Sequence, residues 1–515
     1  MKHKNNDEYS NRERIDLIIK IVSSVIVISV VLWALLFQAE ASNLINYIRT
    51  LVTKYLNWYF VLLASSFLLF SIWLIFGKYG KVVLGGPDAK PEFNRFAWYS
   101  MLYACGQGVG MIFWGIAEPI MMFGSDKFAP AMSLENIEYA MNWTYFHWGI
   151  HAWAIYCIAS ICMAYSLHNS KKPLTYRDTI LDLFPVKSRG VLSVLIETIA
   201  ILTTVLGLST SFGFAIVQFA SGLEILFNIK ITLLHHLIII VALAIIVGVE
   251  MSTGIHRGIK IVSETNTIFS LIILTLMIIV GPTLFILHLF VESLGSYLFN
   301  LFPMGFYTDS TSMIAGFSKW QESWSGWWTV FIWCWTFAFA SFTGGFVAKI
   351  SKGRTIRDFM IGVIIVPSLF VIIWSCIMGG SAIYYDVKSA GAISEAVAID
   401  NSMGIFTMFQ NMNVGFLPSI LTLLATILVG TYYISSLDSG IIVLSDYVSS
   451  ERSKSNIFKI VLLILVTSVC LVLFIIGGTH ALTTVQIATI IAGVPFSVLT
   501  ILMCINLVKR LKKDN

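Results

Sequence analysis

Apolar stretches about twenty residues long, each closed by a short polar loop, recur along this chain. About 20 residues at 1.5 Å rise cross roughly 30 Å of hydrocarbon, so the pattern predicts membrane-spanning helices. Twelve stretches fit: residues 15–38, 56–76, 97–123, 141–167, 191–225, 231–250, 262–291, 324–348, 359–384, 415–446, 457–477 and 482–508. The first follows a charged segment, MKHKNNDEYSNRERID, and has no small-residue cleavage site, so it reads as a retained span rather than a signal peptide.

Two of the stretches are interrupted. The third contains ACGQGVGMIFWGIAEP, with Gly106, Gly108, Gly110 and Gly115 ahead of Pro119, and the eighth carries Gly344 and Gly345. Glycine-broken hydrophobic segments at corresponding places in two halves point to a transporter of inverted repeats, with a site near the bilayer midplane where helices unwind. The implied layout is a tail at 1–14, two additional N-terminal helices with their loop at 15–96, a first repeat at 97–293, an amphipathic connection at 294–323, a second repeat at 324–508 and a short tail at 509–515. The five glycines Gly106, Gly108, Gly110, Gly344 and Gly345 are the candidate gating positions. GQGVG superficially resembles a nucleotide-binding loop, but it sits inside a span with no preceding strand.

Composition agrees with the pattern. Of 515 residues, 57% are hydrophobic and 12% charged, more apolar surface than one water-soluble core buries. Of the 33 Lys and Arg residues, Arg49, Lys54, Lys127, Lys230, Lys319 and Lys388 fall on one side of the twelve-span topology and the rest on or near the other. The positive-inside rule then places both termini in the cytoplasm and requires an even number of spans. The net charge of +5 follows from that topology and gives no reason to invoke nucleic acid. Seven scattered cysteines, with Cys105, Cys157 and Cys162 inside spans and no CxxC pair, read as small core residues.

Candidate chemistry concentrates in four spans. In YFHWGIHAWAIY, taken as one helix, Trp153 lies about 140° and Tyr156 about 80° round from Trp148, a broad aromatic face that suits an organic cation. His147 and His151 have zinc-ligand spacing but lack the Glu of HExxH, so they read as helix-packing hydrogen bonders. In GTYYISSLDSG, the hydroxyls of Ser435 and Ser436, beside carbonyls freed at Ala104 and Gln107, would form an all-oxygen cage for a small hard cation, sodium above all. The alternative is that these serines bond back to their own helix. Glu118 and Asp438 are acids at or near membrane depth, equally suited to function or to holding a broken helix.

These segments resemble the betaine/carnitine/choline transporter family. SFTGGFVAKISKGRTIRDF is similar to its signature, and the GxGxGxxFxGxAEP pattern, WGIHAWAIY, LGLSTSFGFAIVQFASGL and SSLDSG match in order over nearly the whole chain. The resemblance implies an all-α integral membrane protein with twelve transmembrane helices, a leucine-transporter-like 5+5 inverted repeat with two additional N-terminal helices, and a homotrimer. It implies an aromatic box at Trp148, Trp153 and Tyr156, sodium ligands at Ala104, Gln107, Ser435 and Ser436, Phe342 ahead of the eighth-span glycines, and Thr204 at a second sodium position. Sodium-independent antiporters of the family place an arginine where the ion sits, and no Lys or Arg lies between Val191 and Glu224. The chain departs from the family's WAWWISWxPF. It keeps Trp333 and Trp335 but has Thr336 and Phe339 at two tryptophan positions and Ser341 at the proline, with Phe113, Trp114 and Phe337 available as replacement rings.

The expectation is a plasma-membrane symporter, not an enzyme, importing a quaternary-ammonium or zwitterionic osmolyte with Na+ as coupling ion, or H+ in its place. Its substrate residues would be Trp114, Trp148, Trp153, Tyr156, Trp335, Thr336 and Phe339, and its ion residues Ala104, Gln107, Thr204, Phe342, Ser435 and Ser436. An intramembrane hydrolase finds no nucleophile motif. An osmolyte sensor would need a signalling domain, which the short tails are expected not to supply.

Overall fold

The computed structural model describes residues 2–106, 108–253, 258–314, 323–448, 456–478 and 481–514. Gln107 and Lys319 lie outside the described residues. The described chain is helical, with one isolated antiparallel bridge between Val83 and Thr355. Its helices are α1 (Lys2–Leu36), α2 (Gln38–Tyr55), α3 (Asn57–Phe76), α4 (Arg95–Gly106), α5 (Gly108–Phe123), α6 (Leu134–Trp148), α7 (Ile150–Ala164), α8 (Tyr176–Ile180), α9 (Arg189–Phe227) and α10 (Leu233–Thr253). There follow α11 (Gly258–Val280), α12 (Thr283–Gly305), α13 (Phe331–Lys349), α14 (Ile356–Lys388), α15 (Ala392–Ile399), α16 (Gly404–Gln410), α17 (Leu417–Val448), α18 (Asn456–Gly477) and α19 (Ala481–Asp514).

Local chemistry accounts for the helix ends that matter. The Thr355 hydroxyl caps α14 by accepting the Asp358 N–H at 3.0 Å, with the acid in the first turn where the helix dipole favours it. Gly149 separates α6 from α7 with φ −94° and ψ −128°, and an added Cβ there would collide with the Tyr145 carbonyl. The fourth span is thus two helices, and Trp148 and Trp153 do not share one helical face. The seventh span, expected over 262–291, ends at Val280, because Pro282 has no N–H to continue the ladder, and a new helix, α12, starts at Thr283. A further helix, α2, fills the connection between the first two spans.

The eighth span is the main correction. α13 runs from Phe331 to Lys349 without a break through Gly344 and Gly345. A Cβ on Gly344 would stand 3.2 Å from the Ala159 Cβ, and one on Gly345 2.7 Å from Val443 and against the Tyr447 hydroxyl. These glycines admit neighbouring helices rather than loosen their own. The expected pair of interrupted spans therefore reduces to one: α4 and α5 meet at 62° across the break.

Burial is inverted relative to a water-soluble protein. Ile245 and Val249 of α10 are about 60% exposed, whereas Glu118, His147 and Glu197 are fully buried. That distribution suits lipid, which solvates apolar side chains and no carboxylates. α13 forms the axis, buried from Phe331 to Ala348 and packed on α7, α9, α17 and α19.

Both chain ends fasten to one segment. Arg12 reaches Asp178 at 2.6 Å and Arg510 reaches Asp182 at 2.7 Å, so the ends lie on the same side and the number of crossings between them is even. Twelve described helices are long and apolar enough to cross, and the bent α4–α5 pair makes one more. One of these must lie along the surface. α12 has the composition for it: His288, Glu292, Ser296 and Asn300 recur every fourth residue along its length, and Glu292 is exposed near its middle, where lipid would penalise a charge.

Candidate substrate and ion site

The break between α4 and α5 puts a row of bare backbone against rings. A Cβ on Gly106 would press on the Trp153 indole, one on Gly108 on the Tyr432 ring, and one on Gly110 would stand 3.3 Å from Trp335 and 3.4 Å from Trp148. Gly106, Gly108 and Gly110 thus form one wall of a narrow central cavity, in which about 20 Å³ admits the centre of a water-sized sphere. Trp148, Tyr156, Trp335, Thr336 and Phe339, five of the expected substrate residues, form the opposing walls.

The rings meet at steep or tilted angles. Trp148 and Trp335 are edge-to-face with centroids 5.3 Å apart, and Tyr156 and Phe339 are tilted at 6.4 Å. Both indole N–H groups are tied back into the protein: Trp335 Nε1 donates to Ser211 Oγ at 3.2 Å and Trp148 Nε1 to Glu118 Oε2 at 2.5 Å. His147 Nδ1 lies 2.5 Å from the other oxygen of Glu118, and His147 Nε2 lies 3.1 Å from Thr329 Oγ1. His147 is therefore a helix-joining hydrogen bonder, as its sequence context implies. His151 stacks on Trp333 at 6.1 Å, with Phe146 tilted against it at 4.6 Å.

Two expected substrate residues stand behind the wall. Trp153 packs edge-on to Tyr156 at 5.4 Å and fills the space over Gly106, and Trp114 stacks on Trp148 at 6.4 Å. Thr336 donates its hydroxyl to the Ile332 carbonyl at 2.8 Å. Sequence reasoning missed Ser211, which holds Trp335, and Phe214, whose ring lies 4.8 Å from it. Both sit on α9 inside the LGLSTSFGFAIVQFASGL motif, so the motif was visible but its facing was not.

The expected ion residues separate into two places. At the first, Ser436 Oγ donates to the Ala104 carbonyl at 3.1 Å, joining α17 to the last turn of α4, whose terminal carbonyls lack helical partners. Ser435 instead bonds back to Tyr432 O at 3.1 Å, and Gln107 lies outside the described residues. At the second, Thr204 Oγ1 lies 2.8 Å from Ser341 Oγ, the serine at the family's proline position. Phe342 packs edge-on against Phe339 at 4.4 Å. The first place thus brings together one hydroxyl and one carbonyl, both neutral oxygen groups.

Toward the side of the two chain ends, two tyrosines converge on one carbonyl. Tyr176 and Tyr447 each donate to the Ser341 carbonyl at 2.6 Å, beside Gly344 and Gly345.

An all-helical, lipid-exposed bundle enclosing a ring-lined cavity beside a broken helix defines a membrane carrier of small solutes. The chain belongs to the betaine/carnitine/choline transporter family, whose model matches residues 18–515. A probable glycine betaine transporter of Desulfitobacterium hafniense is 32% identical over 96% of this chain and 97% of its own. The glycine betaine transporter OpuD of Bacillus subtilis is 33% identical over 94% of this chain and 92% of its own. An ectoine/hydroxyectoine transporter of Virgibacillus pantothenticus is 33% identical over 93% of this chain and 92% of its own. The protein is thus a multi-pass membrane transporter and not an enzyme.

Proposed function

We propose that this transporter imports a small quaternary-ammonium or zwitterionic osmolyte, with glycine betaine the leading candidate, by sodium-coupled symport across the plasma membrane. The observation that carries the reading is the cage of Trp148, Trp335, Tyr156 and Phe339 against the glycine wall of α4 and α5. A trimethylammonium group donates no ordinary hydrogen bonds, so ring faces at about 0.5–2 kcal/mol each are the means of holding it. The names of the relatives above agree, and the ectoine/hydroxyectoine transporter among them leaves a cyclic zwitterion as the second candidate.

Sodium would sit between α4 and α17 at Ala104 and Ser436, where it ties the broken helix to its neighbour. Binding there favours the arrangement in which Gly110 of α5 faces Trp148 and Trp335, which gives ion and solute a shared conformation to stabilise. Placing the two chain ends in the cytoplasm makes the Tyr176–Tyr447 contact the inner closure. Its release from the Ser341 carbonyl would open the inward path. Inward sodium movement is then driven by the inside-negative potential, about 2.3 kcal/mol per charge per 100 mV.

Uptake of labelled glycine betaine, challenged in turn by unlabelled choline, carnitine, ectoine and an uncharged isostere, tests the solute class. Competition by the charged compounds and none by the isostere is expected. An isostere that competes as well as glycine betaine refutes the cage as a cation site.

A further inference from the structure

We propose that Glu118 is a positioning residue for the substrate cage, one that both fixes the Trp148 ring and enriches its π face. Glu118 is fully buried on α5, and both its carboxylate oxygens are engaged. One accepts from Trp148 Nε1 at 2.5 Å and the other meets His147 Nδ1 at 2.5 Å. His147 in turn meets Thr329, at the π-helical turn Gly326–Val330 that leads into α13, so the chain of contacts runs from α13 through α6 to α5 and back to the cage.

A carboxylate buried at membrane depth is costly and persists where it has work to do. Here it acts on the indole. A carboxylate oxygen that accepts the indole N–H pushes electron density into the ring, and a denser ring face attracts a cation more strongly. The cage's second indole lacks this, because Trp335 donates to the neutral hydroxyl of Ser211. The two tryptophans are therefore unequal, and the ammonium end of a zwitterion settles against Trp148 while its carboxylate turns away from Glu118. This rests on the cage being a quaternary-ammonium site.

Glycine betaine binding to purified wild type, Glu118→Gln, Trp148→Phe and the double variant provides the test. The amide of Glu118→Gln still accepts the indole N–H but carries no charge, so apparent affinity should fall about 5- to 30-fold with maximal binding retained. In the Trp148→Phe background the same change should alter affinity less than about 2-fold, because the effect travels through the indole. Equal losses in both backgrounds overturn the proposal, as generalised damage to the fold would produce them. Tryptophan indole N–H resonances of labelled protein give a second readout that needs no substrate. The signal lost in Trp148→Phe should lie far downfield and move upfield in Glu118→Ala, and an unmoved signal refutes the hydrogen bond outright. A wild type that binds no quaternary ammonium while this signal does move refutes the cage reading and the polarising role together, leaving Glu118 as the anchor of Trp148.

Discussion

The cage rests on few side chains, and their neighbours set what each is worth. Trp148 and Trp335 both line the cavity, so replacing either by alanine should raise the apparent Km for a quaternary ammonium by about 2- to 30-fold, the equivalent of about 0.5–2 kcal/mol per ring, read from uptake kinetics. Trp153 fills the space over Gly106 rather than lining the cavity, so Trp153→Ala should instead lower the melting temperature by opening a void in the core. The adjacent serines should divide likewise. Ser436→Ala removes a hydroxyl that bridges to Ala104 and should raise the sodium concentration for half-maximal uptake several-fold. Ser435→Ala removes one that bonds its own helix and should change it little. Sequence placed both serines at the ion because both match the motif; only the rotation of α17 against α4 tells them apart.

At the level of elements, glycine carries two meanings that a chain alone does not separate. The break in the third span was legible, since three glycines in alternation with Pro119 behind them leave little to hold a straight helix. Gly344 and Gly345 looked the same, yet they accommodate Ala159, Val443 and Tyr447 from segments about 100–190 residues away, partners that no local pattern reveals. Gly345→Leu should therefore overpack α13 against α17 and cost about 1–3 kcal/mol, seen as a lowered melting temperature. Gly190→Ala on α9, where an added Cβ meets nothing, should be neutral or slightly stabilising. The break at Gly281-Pro282 was legible and overlooked, whereas the bond between Glu118 and Trp148, thirty residues apart, was beyond any spacing rule. The connection between α8 and α9 adds an electrostatic prediction. Burial pushes the Asp182 carboxyl up, but Lys172 and Arg510 outweigh it and hold its pKa at about 2. With a folded-state pKa below the unfolded value near 3.9, the anchor for α19 is fully present above about pH 4 and is lost as pH falls toward 2. Hydrogen-exchange protection in the last turns of α19, taken relative to the intrinsic rate at each pH, should fall over that interval in the wild type and be already reduced at pH 5 in Asp182→Asn.

For the whole molecule, bulk composition is enough to assign the bilayer as solvent, and the segregation of Lys and Arg along the sequence points to an even number of crossings. The structure reaches the same parity independently, through Arg12 and Arg510 meeting one segment between α7 and α9. Family motifs supplied the position of the cavity, and the packing of α13 against α4, α7 and α9 supplied its shape, which the angular argument over a continuous fourth span could not. The proposed coupling joins these scales: a solute and an ion would together stabilise one arrangement of the broken α4–α5 pair. Accumulation of labelled glycine betaine in proteoliposomes loaded with potassium and diluted into sodium tests this most directly. Concentrative uptake that needs the inward sodium gradient, and that in Ser436→Ala is restored only by higher sodium, is predicted. Equal accumulation from sodium-free medium under a proton gradient would contradict it.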